Sequence, residues 1–280
     1  MYINTVNTKA EQLQRGYYKI DSGPELFLVI GSCRSVPYMN YLHEWNLANG
    51  MPYTLAFIDP YNWCFDIYDN RVDMQEVINS LETNEEMLSM LRIAKICVHE
   101  YYNNFGMFSF DKTAEKNIYQ FGFNPEKDIC IPNFNDLFIL YGDIATFDVE
   151  ARKWAVADWN VLGKLSDQTA EKFYQISQKN LQKFYDVCQK SDVPEMAVCF
   201  MANFKRERYF WNSNHVSKAF TLAIFKLIND KYLHLDLSKG FDENHADMYA
   251  NNYTKLTNED VQAYGYQWNE EVISIKEKLF

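Results

Sequence analysis

The sequence predicts an α/β fold: a small, mostly parallel sheet flanked by helices, with a largely helical C-terminal half. Three observations predict it. Short, β-rich apolar runs end at glycine or just before proline. Helical patterns lie between those runs, as the crossover connections of a parallel sheet require. After about residue 150 the pattern changes to helices alone.

The run Leu26-Phe27-Leu28-Val29-Ile30 ends in Gly31 and reads as a fully buried strand feeding a turn. A helix should follow, because Pro37 suits a first helical turn and Tyr38, Tyr41, Leu42 and Trp45 recur at the spacing of one helical face. Tyr53 to Ile58 is a second strand, stopped by Asp59-Pro60. Val72 to Leu91 reads as helix, in two pieces around Thr83-Asn84. Further strands follow at Ala94 to Val98 and at Asp128 to Ile131, before Pro132.

In the second half, Phe173, Ile176, Leu181, Phe184 and Val187 keep a helical stripe through a polar segment. Met196 to Met201 is apolar enough to pass for a strand, but Ser191 or Asp192 can cap a helix and Pro194 fits its first turn. Met196, Phe200 and Phe204 then share a face. Ala219, Phe220, Ala223, Ile224, Leu227 and Ile228 form the cleanest amphipathic pattern, and the last helix is expected over Asn258 to Lys278 with a break near Gly265.

No repeat or Pro/Gly/Ser linker marks a boundary, so residues 1–280 are expected to form one α/β domain. Residues 1–24 are read as an N-terminal extension, 25–150 as the sheet-rich half and 151–280 as a helical half completing the site. Hydrophobic residues at 48% supply ample core. A net charge of -11 argues against a general nucleic-acid binder, which needs clustered Lys and Arg. Six cysteines at 33, 64, 97, 130, 188 and 199 lack C-x-x-C spacing and fit a reduced compartment, so a cytoplasmic location is expected. The N-terminus lacks a secretory signal pattern, and no apolar run approaches the roughly 18 to 20 residues that span a bilayer. The five histidines show no metal-ligand spacing, and neither a GxGxxG nor a Walker A loop is present.

The first candidate site is Gly31-Ser32-Cys33-Arg34-Ser35, at the C-terminal end of the first strand and the entrance to a helix. Ligands collect beyond the carboxyl ends of strands in open α/β sheets, and unpaired helix N–H groups stabilise an anion. The same field and the adjacent Arg34 are expected to lower the thiol pKa of Cys33. The alternative is a tight turn at Gly31, a Ser32 cap and a packed, inert Cys33. Trp211 to Lys218 is the second: His215 can accept a proton, while Asn212 or Asn214 orients it or binds an oxyanion, with Lys218 alongside. A capping turn explains the same residues. The third, His99-Glu100-Tyr101-Tyr102-Asn103-Asn104-Phe105-Gly106, follows a buried strand and should share the rim with Cys33. Glu100 is its carboxylate partner, with His99 and Asn104 as binding groups, although a core histidine and a turn fit as well. Pro132-Asn133-Phe134-Asn135-Asp136, after the fourth strand, suits substrate hydroxyls, although turn chemistry explains it as well; Asp59-Pro60-Tyr61-Asn62 has the same ambiguity.

In this order, the Gly-Ser-Cys-Arg turn, the His-Glu-Tyr segment, Ile131-Pro132-Asn133-Phe134 and Asn214-His215 resemble the WcbI-like polysaccharide-biosynthesis acetyltransferase family over roughly residues 26–230. That family usually has Gly-Asn-Cys-Gln and Asn-His-Pro, so Ser32, Arg34 and Val216 depart while Cys33 and Asn214-His215 match. The resemblance implies an acyl transferase acting on a glycan or other hydroxyl acceptor, using coenzyme A or acyl-CoA, with cysteine and histidine at the site. The layout is also similar to SGNH-type hydrolases and flavodoxin-like sheets, with Cys33 in place of the usual serine unless Ser32 serves. A third similarity, to proteins beginning Gly-Ser-Cys-Phe-Ala, is confined to the first turn.

These readings converge on acyl transfer, with Cys33 as nucleophile, His215 as general base, and turn N–H groups with Arg34 or Asn104 as anion stabilisers. Cys33, the loop after the third strand and His215 are expected to line one cavity. The rivals are an esterase that gives the acyl group to water, and a catalytically inactive interaction protein using its 20 Tyr and 20 Phe as a partner surface. A small-molecule or glycan substrate is expected; nucleic acid, a metal and a membrane span are not, and the oligomeric state is left open.

Overall fold

A computed structural model of the chain describes residues 17–60, 81–102, 106–134, 140, 147–148, 153–154, 167–212, 215–241, 243, 247–250, 253 and 255–268. The chain divides into two compact units. The first comprises Met1–Asn133, Lys190–Val193 and Ile224–His245; the second comprises Phe134–Gln189, Pro194–Ala223 and Ala246–Phe280.

The first unit carries a five-stranded sheet of β1 (Tyr17–Ile20), β2 (Glu25–Ile30), β3 (Tyr53–Ile58), β4 (Ala94–Glu100) and β5 (Lys127–Ile131), in the order β1-β3-β2-β4-β5. β2 to β5 are mutually parallel where they pair, and β1 joins β3 antiparallel at one edge. Residues 17–20, counted above within an N-terminal extension, are therefore a strand of the sheet. Their own sequence, Tyr-Tyr-Lys-Ile, is too short to announce it; the backbone groups of β3 recruit it. The four parallel strands run β3-β2-β4-β5, the doubly wound flavodoxin-like order, in which the chain reverses its direction of travel between β2 and β4.

β2 is buried along five of its six residues, as a strand covered on both faces must be. Leu26, Leu28 and Ile30 pack into a core with Cys97 of β4 and with Met87, Leu88 and Leu91 of α2 (Glu85–Ile93). Asn84 caps α2, accepting from the Met87 backbone N–H at 3.0 Å, which places the helix start at the predicted break around Thr83-Asn84. The earlier part of that expected helix, 72–80, lies outside the described residues. α1 (Val36–Ala48) has Pro37 in its first turn as expected. It is buried on more than the one predicted stripe, because Met39, Asn40 and Asn46 are buried as well and Asn46 Nδ2 donates to the Tyr53 carbonyl; on the stripe itself Tyr41 meets the rings of Phe225 and Phe241.

The second unit holds the two-stranded ribbon β6 (Phe147–Asp148) and β7 (Lys153–Trp154), then α3 (Asp167–Gln189), α4 (Glu195–Asn203) and α6 (Asn258–Tyr264). The first residues of α5 (Lys218–Ile228) also belong here. Met196, Phe200 and Phe204 are buried together as a helical face, and the strand alternative for 196–201 is not adopted. Phe134, Phe184, Phe200, Phe210 and Phe220 form an aromatic core with ring centroids as close as 4.1 Å. α6 ends at Gly265, whose φ of 70° is left-handed, and 265–268 are not helical; the rest of the expected last helix, from 269, lies outside the described residues.

Candidate functional site

The switch point between β2 and β4 is where an open α/β sheet leaves a crevice, and the residues that end both strands meet there. Gly31 follows β2 and donates its N–H to the Ile58 carbonyl at 3.0 Å. A Cβ on Gly31 would land on Ser35 Oγ and come within 3.0 Å of Glu100 Oε1, so only glycine lets these groups close in. Cys33–Ser35 form a single tight helical turn that runs into α1.

Glu100, the last residue of β4, is 1% exposed and organises this turn. Its Oε1 accepts from the Ser32 N–H at 3.1 Å, Ser32 Oγ at 3.0 Å and Ser35 Oγ at 2.6 Å. Its Oε2 accepts from Arg34 Nη2 at 3.3 Å and the Tyr102 hydroxyl at 3.1 Å. Arg34 also reaches Asn133 Oδ1 at 3.4 Å, and Asn133 Nδ2 donates to the Tyr101 carbonyl. Three loops, after β2, β4 and β5, are thereby tied to one carboxylate. Glu100 is thus engaged as an acceptor by the protein's own donors, and Arg34, 6% exposed, is paired with it. Neither is an open acid or an open anion clamp in this structure.

Ser32 and Ser35 are buried. Ser32 Oγ also accepts from the Arg34 N–H, so the hydroxyl caps the turn, and the serine side of the Ser32-or-Cys33 choice is committed to structure. Cys33, between them, is exposed. Protein packed around its sulfur nevertheless raises the thiol to about 11: burial is the largest cause, Arg34 and a backbone hydrogen bond act in the lowering direction, and Asp59 and Glu100 add to the rise. The lowered thiol pKa expected from Arg34 and the helix N-terminus is therefore reversed. Burial outweighs Arg34, and Glu100, which pairs with Arg34 and takes the Ser32 amide, adds to the rise. Accessible surface decides whether a reagent reaches Cys33, and the crowding decides the direction of its shift.

His99 does not share this rim. Successive residues of a strand face opposite sides, and while Glu100 turns to the Gly31–Ser35 turn, His99 is buried against Phe110, its ring stacked at 3.5 Å. Its Nε2 lies 3.1 Å from Asp128 Oδ1 and its Nδ1 3.1 Å from the Glu100 carbonyl, the satisfied core histidine that was the alternative. Asn104 lies outside the described residues.

His215, Asn212 and Lys218 belong to the second unit. Asn212 Oδ1 accepts from the His215 N–H at 2.9 Å, and Trp211 N–H donates to the His215 carbonyl, closing a tight turn before α5. The His215 ring stacks on Tyr249 at 4.2 Å. The start of α5 is capped by Asp247, whose Oδ2 accepts from the Lys218 N–H at 2.5 Å and from Trp211 Nε1 at 2.8 Å. Asn214 lies outside the described residues.

Sequence reasoning missed Tyr102 and Asp247. Tyr102 lies two residues beyond Glu100 in a segment already singled out, so its presence at the rim was within reach. Asp247 acts across a gap of 29 residues, which leaves no local pattern to read. Among the described residues, no group of three or more His, Cys, Asp or Glu is placed to hold a metal ion, and no helix is long and apolar enough to cross a membrane.

No protein-family model and no curated protein matches the chain. A solved structure of WcbI, a novel polysaccharide biosynthesis enzyme, in its native form without a disulfide bond between coenzyme A and a cysteine, is similar at a TM-score of 0.42 and 11% identity. The match covers 80% of this chain and 74% of that one. A likeness of this degree transfers neither activity nor ligand.

Proposed function

We propose that this chain is an acyl transferase in which Cys33 takes an acyl group from acyl-CoA and passes it to a hydroxyl of a glycan or similar polar acceptor. The observation that carries the reading is the contrast inside one turn: an exposed thiol beyond the carboxyl ends of β2 and β4, flanked by two buried serines and an arginine, all bound to Glu100. In the first step Cys33 Sγ bonds to the thioester carbonyl carbon, the carbon–sulfur bond to coenzyme A breaks, and the thiol proton passes to the departing coenzyme A sulfur. In the second the acceptor hydroxyl oxygen bonds to the same carbon, the carbon–Sγ bond breaks, the hydroxyl proton returns to Cys33 Sγ, and the ester leaves. A thiol raised to about 11 needs a base during attack.

The test is coenzyme A release from acetyl-CoA with and without polyhydroxyl acceptors. Acceptor-dependent release that falls to background in Cys33→Ala supports transfer. Release beyond one equivalent per protein without any acceptor moves the assignment to hydrolysis, and undiminished release by Cys33→Ala removes Cys33 from the chemistry.

A further inference from the structure

Five donors from four residues converge on the Glu100 carboxylate, and four of the five belong to the turn that carries Cys33. Three are the Ser32 N–H and the Ser32 and Ser35 hydroxyls. Together with the Arg34 guanidinium they have the chemistry of an anion site at the entrance to a helix. Here a side chain of the same protein fills that site.

We propose that Glu100 is a positioning residue that restrains Cys33: its carboxylate fixes the Ser32–Ser35 turn and pairs with Arg34, drawing that cation away from the adjacent thiol. The inference rests on Cys33 being the reactive group of the preceding reading, but its test needs no acyl transfer. The charged and titratable groups that bear on the thiol are Arg34 on its own turn, Asp59 at the end of β3 and Glu100 at the end of β4. The Tyr102 hydroxyl adds a further donor to Glu100. Removing one negative charge while keeping the side-chain shape leaves Arg34 opposed only by burial and Asp59. Loss of a merely structural group would loosen the turn without making the thiol more acidic.

The experiment follows alkylation of Cys33 by iodoacetamide from pH 7 to 11, read by mass spectrometry on its own peptide, with Cys33→Ser as blank. In folded Glu100→Gln the midpoint should move to lower pH. A fall of about one unit gives tenfold more thiolate, offset by lower intrinsic nucleophilicity, so alkylation at pH 8 should be about threefold faster. A folded Glu100→Gln with the wild-type midpoint overturns the proposal. Glu100→Asp keeps the charge but withdraws it by one methylene, so it should leave the midpoint in place while the Ser32 amide exchanges with deuterium at least about tenfold faster. Wild-type protection of that amide in Glu100→Asp also overturns the proposal, which keeps it testable should Glu100→Gln fail to fold. Acyl-CoA turnover can fail in the wild type with both results intact, so the two readings fail separately.

Discussion

Ser32 and Cys33 are chain neighbours, yet one hydroxyl is buried and spent on Glu100 and on the Arg34 N–H while the next thiol is exposed. Ser32→Ala leaves the Arg34 N–H without its cap and removes one of the Glu100 donors, so a loss of about 1–3 kcal/mol in denaturant unfolding is expected. A loss within the error of the measurement would show that the cap is dispensable. For the thiol the sign follows from its raised pKa. Cys33 is largely protonated at neutral pH, its thiolate fraction grows as pH rises toward about 11, and its alkylation rate should still be climbing between pH 9 and 10.5. A plateau below pH 9 contradicts the assignment. The sequence made the turn visible, because Gly31 ends an apolar run and the helix signals start immediately after it. It did not reveal the direction of the thiol shift, since Arg34 beside Cys33 is read locally while the packing that outweighs it, with Asp59 and Glu100 from other strands, is not.

The parallel strands and the helices after them were legible because each carries its period and its stop signal within its own residues: β3 ends at Asp59-Pro60 and α1 opens with Pro37. β1 was not, because it exists through pairing with β3 rather than through a pattern of its own. The opposite facing of His99 and Glu100 was implicit once 94–100 became strand, but a strand end predicted at Val98 hid it. At this scale the test of close approach is Gly31→Ala. Its added methyl must displace Ser35 from the Glu100 network, at a cost of about 1–3 kcal/mol or more, measured by urea unfolding. In the second unit, Asp247→Ala removes the cap of α5 and the Trp211 Nε1 acceptor, and about 1–2 kcal/mol should be lost. A neutral Asp247→Ala would mean that α5 needs no cap.

Across the whole chain, a net charge of -11 works against any polyanionic ligand at long range, so the proposed coenzyme A donor requires local contacts for its affinity. Coenzyme A that binds the folded form at ten times its Kd stabilises it by about 1.4 kcal/mol, which should raise the Tm by a few degrees. An unchanged Tm at millimolar coenzyme A would point to a different acyl donor. Among the described cysteines, Cys97 and Cys188 are buried, with thiols raised well above the ordinary value and to about 12 respectively, and Cys130 and Cys199 are half-buried, whereas Cys33 stands exposed at the switch point of the sheet. The most direct measurement is intact and peptide mass spectrometry after brief incubation with acetyl-CoA in the absence of acceptor. An acetyl adduct confined to the Cys33 peptide, absent from Cys33→Ala and discharged by a hydroxyl acceptor, is the predicted result. Acceptor-dependent turnover with no adduct at Cys33, undiminished in Cys33→Ala, contradicts the account.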